Sequence, residues 1–85
     1  MIMQELVEYI VESLTGNSDF TVTVSEEERL ITITLSPADI GRVIGRGGKT
    51  AKAIRLIVKA AASKRNKRYD VEIRETDEAG SSENN

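Results

Sequence analysis

Met3, Leu6, Val7, Ile10, Val11 and Leu14 recur at the i, i+3, i+4, i+7 interval, while Glu5, Glu8 and Glu12 occupy another side. At 3.6 residues per turn this spacing predicts an amphipathic helix with one face to bury. Gly16-Asn17 closes it, because Gly enters a left-handed cap without a Cβ penalty and Asn tolerates one. The period then changes to two. Phe20, Val22 and Val24 alternate with Thr21 and Thr23, and Ile31, Ile33 and Leu35 with Thr32 and Thr34. Both runs are rich in β-branched residues and read as strands, and the short polar segment Ser25 to Arg29 suits an antiparallel hairpin.

Ser36-Pro37-Ala38-Asp39 offers an N-cap oxygen, a proline at the first helical position and an acid in the first turn. The second helix that starts there can run only to about Ile44, since Gly45, Gly47 and Gly48 follow and each lowers helix stability by roughly 1 kcal/mol relative to Ala. From Lys49 to about Ser63 the chain returns to Ala, Lys, Ile and Leu without Gly or Pro, which predicts a longer third helix. Ser63 to Arg68 is a basic loop, and Tyr69, Val71 and Ile73 alternate with Asp70 and Glu72 as a last strand. The order is α-β-β-α-α-β, an α+β arrangement. One domain is expected over residues 1–74, and residues 75–85, with no apolar anchor, are expected to be a disordered acidic tail.

Composition narrows the chemistry. The 85 residues suffice for one small domain, and 39% apolar with 31% charged residues is the balance of a globular fold. The chain has no Cys and no His, which removes disulfides, thiolate nucleophiles, imidazole bases and the common zinc ligands together. No catalytic residue, metal site or cofactor is expected. No apolar run approaches ~18 residues and the first helix is acidic, so neither a membrane span nor a signal peptide is expected, and the cytoplasm is the expected location.

The net charge of −2 conceals a partition. Residues 1–40 hold eight acids against Arg29 alone, a balance of −7. Residues 41–74 hold eleven bases against Asp70 and Glu72, a balance of +9, and Glu75, Asp77, Glu78 and Glu83 then add −4. A basic block this one-sided favours an anionic partner over mere solvation, because ordinary surfaces mix both signs.

The densest signal is Val43-Ile44-Gly45-Arg46-Gly47-Gly48-Lys49-Thr50. A phosphate-binding Walker loop would need glycine where Val43 stands, and a strand instead of a helix before it. A plain corner between two helices is a second reading. The third is a loop that meets a nucleic-acid backbone: glycines permit close approach, amides at the start of the third helix carry the positive end of its dipole, and Arg46 and Lys49 add cationic donors.

Ile44-Gly45-Arg46-Gly47-Gly48, set between two helices inside βααβ and followed at helical spacing by Ala51 and Ile54, resembles the Gly-X-X-Gly signature of KH domains. The α-β extension before that core is similar to the type II, prokaryotic form. The resemblance spans residues 2–74 and is strongest to small bacterial single-KH RNA-binding proteins; Ala51 departs from the larger aliphatic residue common after the signature. It implies a three-stranded mixed sheet covered on one face by helices. It also implies that Gly45, Arg46, Gly47 and Gly48 clamp about four nucleotides of single-stranded RNA, with Lys49 and Lys52 beside them. Ile40, Ile44, Ala51 and Ile54 would floor the groove, or some would be ordinary core. Lys64, Arg65, Lys67 and Arg68 would form its far wall. Tyr9, Phe20 and Tyr69 are the only aromatic residues, too few and too much in phase with apolar faces for a stacking platform.

The third helix carries two apolar sides. Ala51, Ile54, Val58 and Ala61 share one, Ala53, Leu56, Ile57 and Ala60 the other, and Lys52, Arg55 and Lys59 form a stripe on the helix as well. One apolar side should cover the sheet. The second packs either against the first helix or against another molecule, as a homodimer or a heteromer with a larger KH-containing protein. The function implied is a cytoplasmic RNA chaperone or post-transcriptional regulator without catalysis. The rivals are a protein-interaction adaptor and a ribosome-associated factor bound to ribosomal RNA.

Overall fold

The computed structural model describes residues 2–76. Helix α1 spans Met3–Thr15, strands β1 and β2 span Phe20–Ser25 and Leu30–Leu35, α2 spans Pro37–Ile44, α3 spans Lys49–Ser63, and β3 spans Asp70–Glu75. A single 3-10 turn, Arg46–Gly48, joins α2 to α3. This is the expected order. Gly16 caps α1 in the left-handed conformation at φ 78°, its N–H donating to Glu12 O.

The sheet has the order β1-β2-β3, antiparallel between β1 and β2 and parallel between β2 and β3. The register aligns Val22 with Ile33, and Ile33 with Ile73, so the aliphatic residues of all three strands face one side. The helices cover that side. Val7 and Val11 from α1, Val43 from α2, and Ile54, Val58 and Ala62 from α3 complete a core in which Ile31, Ile33 and Leu35 are fully buried. Each such Val or Ile contributes about 1.5–3 kcal/mol by leaving water. The opposite side carries Thr21, Thr23, Thr32, Thr34, Glu72 and Arg74, and needs no cover.

Two expectations change. The Ser36 hydroxyl does not cap α2; it lies 3.4 Å from Asp39 Oδ2, donating to a buried carboxylate that also accepts from Asn17 Nδ2 at 3.1 Å. Asp39 thereby ties the α1–β1 connection to the start of α2. The last strand also runs past Arg74, through Glu75, and the Thr76 N–H donates to Leu35 O at 2.7 Å. Main-chain pairing with β2 needs no apolar side chain, which is why the hydrophobic pattern stops short of it. The remainder of the expected tail, residues 77–85, lies outside the described residues.

Candidate nucleic-acid interface

The glycines between α2 and α3 each take a backbone that L side chains avoid. Gly45 sits at φ 78°, ψ 167°, Gly47 at φ 65° and Gly48 at φ 76°. Gly45 is further constrained by Thr50, which stands against its Cα where a Cβ would be. Around Gly47 and Gly48 the space is open, so there the lack of a side chain leaves bare main chain facing outward. Gly48 N–H donates to Gly45 O and Lys49 N–H to Arg46 O, which rigidifies the turn. The N–H groups of Arg46 and Gly47 enter no backbone hydrogen bond among the described residues. The first turn of α3 contains no acid to offset its dipole, and Arg46 and Lys49 are exposed beside it.

From this loop α3 runs antiparallel to β3. The Arg55 guanidinium donates from Nε and Nη2 to Val71 O at 3.4 and 3.3 Å. Asp70 and Thr76 direct their N–H groups to β2, so in a parallel ladder Val71, Ile73 and Glu75 turn theirs to the open edge of β3. A cleft of about 460 Å³ lies between that edge and the helix, lined by Arg55, Lys59, Arg68, Tyr69, Asp70 and Val71. Three cations against one acid make it an anion-attracting trough. Helical spacing puts Arg55 and Lys59 in one stripe but does not assign them to the site; their phase on the helix is visible in the sequence, whereas the meeting of that phase with the edge of β3 is not.

Burial separates the four aliphatic residues near the loop. Ile44 is 36% exposed beside the loop and Ile40 half-buried, whereas Ile54 is 2% and Ala51 4% exposed. Ile54 and Ala51 are therefore buried beneath the surface, Ile54 as part of the main core. Lys49 and Lys52 are exposed on the first turn of α3, next to the loop.

The basic loop divides. Asn66 adopts the left-handed conformation at φ 58°, and Lys67 N–H returns to Ala62 O at 3.1 Å, closing the end of α3. That reversal sends Arg68 into the cleft, while Arg65 and Lys67 line a different cavity of about 370 Å³ on the α1 side, with Met3, Leu6 and Val24. Lys64 is exposed. Lys67 is moreover paired with Glu26 at 3.5 Å, and the Tyr69 hydroxyl donates to the same Glu26 Oε1 at 2.5 Å. That bond, reinforced by Lys67 and Arg29, holds the Glu26 carboxyl below its ordinary value. The same bond, together with burial, raises the Tyr69 phenol above its own against the opposing charge of Arg29. The hairpin between β1 and β2 is thus latched to the basic loop, with the Arg29 guanidinium 5.7 Å over the Tyr69 ring. Arg68 thus lines one cavity and Arg65 and Lys67 another, although the three are close in sequence.

On α3, the side carrying Ala53, Leu56, Ile57 and Ala60 is exposed, Leu56 at 67% and Ile57 at 43%. Packing between α1 and α3 does not cover it.

A βααβ core with a glycine loop joining its helices, preceded by an α-β unit whose strand extends the sheet, defines a type II KH domain. Comparison of the sequence with known proteins agrees: the family described as the KhpA/KhpB KH domain matches residues 4–73. The chain belongs to that family. It is 46% identical over 74 residues to the RNA-binding protein KhpA of Clostridium perfringens, a match that covers 84% of this chain and 99% of that one. It is 45% identical over 75 residues to the RNA-binding protein KhpA of Caldanaerobacter subterraneus subsp. tengcongensis, with the same coverage of both. Against the RNA-binding protein KhpA of Borreliella burgdorferi it is 39% identical over 72 residues, covering 81% of this chain and 88% of the other.

Proposed function

We propose that this protein binds single-stranded RNA without catalysis, the glycine loop holding the phosphates and the trough between α3 and β3 receiving the strand that leaves it. The observation that supports this reading is that the described residues combine loop amides at Arg46 and Gly47 without a backbone partner, exposed cations along α3, and an open main-chain edge on β3. Phosphate contacts supply affinity, while exposed main-chain donors and acceptors at Ile73 and Glu75 meet base edges. The relatives' name, RNA-binding protein, supports the same class of ligand.

No helix among the described residues is long and apolar enough to cross a membrane, and the proposed setting is the cytoplasm, as an RNA chaperone or post-transcriptional regulator. The exposed α3 side of Ala53, Leu56, Ile57 and Ala60 favours a second protein surface there. Its proposed occupant is another copy of this chain or the KH domain of KhpB, which shares the family description. A two-chain assembly would present two RNA troughs and raise avidity.

The test is fluorescence anisotropy with a labelled single-stranded oligoribonucleotide and the double variant Arg46→Asp/Gly47→Asp. Gly47 has open space around it and Asp tolerates its left-handed backbone at modest strain, so the variant should stay folded by circular dichroism while two carboxylates face phosphate. Affinity should fall about tenfold or more, since like charges set against one another cost several kcal/mol. Unchanged affinity in the folded variant would remove the loop from the interface, and binding of acidic peptide in preference to RNA would favour an adaptor role.

A further inference from the structure

The relatives' sequences are almost wholly matched by 74 or 75 residues, and the family match on this chain ends at residue 73, yet this chain continues through Asn85. The added residues 77–85 contain Asp77, Glu78 and Glu83 and no base. They begin at Thr76, which is pinned to Leu35 at the end of the sheet where α2 departs. Because α3 runs antiparallel to β3, this is also the end toward which the α3 N-terminus points.

The surface they leave from is short of anions. Among the described residues ion pairs form only between Lys67 and Glu26 and between Arg74 and Glu72. Arg46, Lys49, Lys52, Lys59 and Arg68 are exposed and have no such partner among the described residues. The fifteen residues of α3 extend about 22 Å. Nine extended residues span up to about 30 Å, enough to run the length of that track from Thr76. Unlike charges held at a high local concentration by a short tether associate even when each contact is weak, and they release in salt.

We infer that residues 77–85 dock on the cationic track of α3 and compete there with single-stranded RNA, so that this chain carries its own displaceable occupant for the trough. The competition rests on the RNA-binding reading above; the docking does not. Weak RNA contacts lose to the tail, and only a strand that engages loop and trough together displaces it. The device thus raises discrimination against poorly fitting anions while lowering apparent affinity.

The chain has no cysteine, so Ser82→Cys accepts a single nitroxide label in the full-length protein. Paramagnetic broadening of backbone amides should concentrate on residues 46–59 at low salt, weaken at high salt, and vanish on adding a saturating oligoribonucleotide. Broadening spread evenly over the surface, or insensitive to salt, overturns the docking whether or not RNA binds. Broadening on α3 that survives saturating RNA overturns the competition and leaves RNA binding intact. A full-length variant with Asp77→Asn, Glu78→Gln and Glu83→Gln should bind the oligoribonucleotide roughly threefold or more tighter at ~50 mM salt, with the advantage lost by ~300 mM. Equal affinity of both forms at low salt overturns it too. If neither form binds RNA, the functional reading fails and the broadening alone decides the docking.

Discussion

Gly45 and Thr50 approach so closely that a Cβ on the glycine would lie 2.6 Å from Thr50 Cβ and 2.8 Å from its backbone nitrogen. The sharp return of the chain at the start of α3 is built on this contact, and it separates Gly45 from the other loop glycines. Gly45→Ala must force the turn apart and also hold a side chain at φ 78°, ψ 167°, a region essentially confined to glycine. The expected destabilisation is about 2–4 kcal/mol in urea denaturation. Gly47→Ala, with positive φ but open space, should cost about 1–2 kcal/mol. Equal losses from the two would mean that Thr50 does not set the turn.

The salt dependence of RNA binding should divide the basic residues by direction. Single Gln substitutions of Lys59 or Arg68, which line the trough, should each reduce the slope of log K against log salt by up to ~0.7, the value for one lost phosphate contact on a single strand. Lys67→Gln should leave the slope unchanged, because Lys67 faces Glu26 and the cavity on the α1 side. Identical slopes for Lys67→Gln and Arg68→Gln would contradict the division of the loop.

The latch between Glu26 and Tyr69 makes stability depend on pH at both ends. The Glu26 carboxyl is held below 4.5 by the Tyr69 hydrogen bond, so its contribution is present above that pH and is lost as pH falls through the folded value. Tyr69 is raised above 10.0 by the same bond, so its contribution is present below pH 10 and is lost as pH rises through the folded value. Tyr69→Phe keeps the ring over which Arg29 sits and removes the bond. The stability difference between the two proteins should be largest near neutral pH and narrow below pH 4.5 in denaturant titrations. A difference independent of pH would assign the loss to packing alone.

Ile57 is 43% exposed on the uncovered side of α3, so Ile57→Lys should leave the monomer fold intact. Sedimentation at tens of micromolar should give a dimer for the unaltered chain and a monomer for the variant. A monomer in both cases would remove self-association through this face.

Sequence periodicity is enough for α1, α2 and α3, whose limits follow from Gly16, Pro37 and the loop glycines, and for the β1–β2 pair with its alternating threonines. Local signals of this kind are written in neighbouring residues, so one chain suffices to read them. The end of β3 is less legible, because Glu75 joins the strand through main-chain bonds that leave no mark on side-chain pattern.

The primary structure alone determined the order of elements, the side-chain-free turn between the two central helices and the concentration of cations after Gly41. Helical spacing showed that Ile54 shares a face with Val58, and that Arg55 and Lys59 share another. Only the tertiary structure decided that the apolar face meets the sheet, burying Ile54, that the basic face borders the open edge of β3, and that Leu56 and Ile57 remain uncovered. It also decided that Asn66 reverses the loop and parts Arg68 from Lys67. The reason is that periodicity fixes which residues stand together on an element, whereas the direction in which that element faces depends on partners far away in the chain.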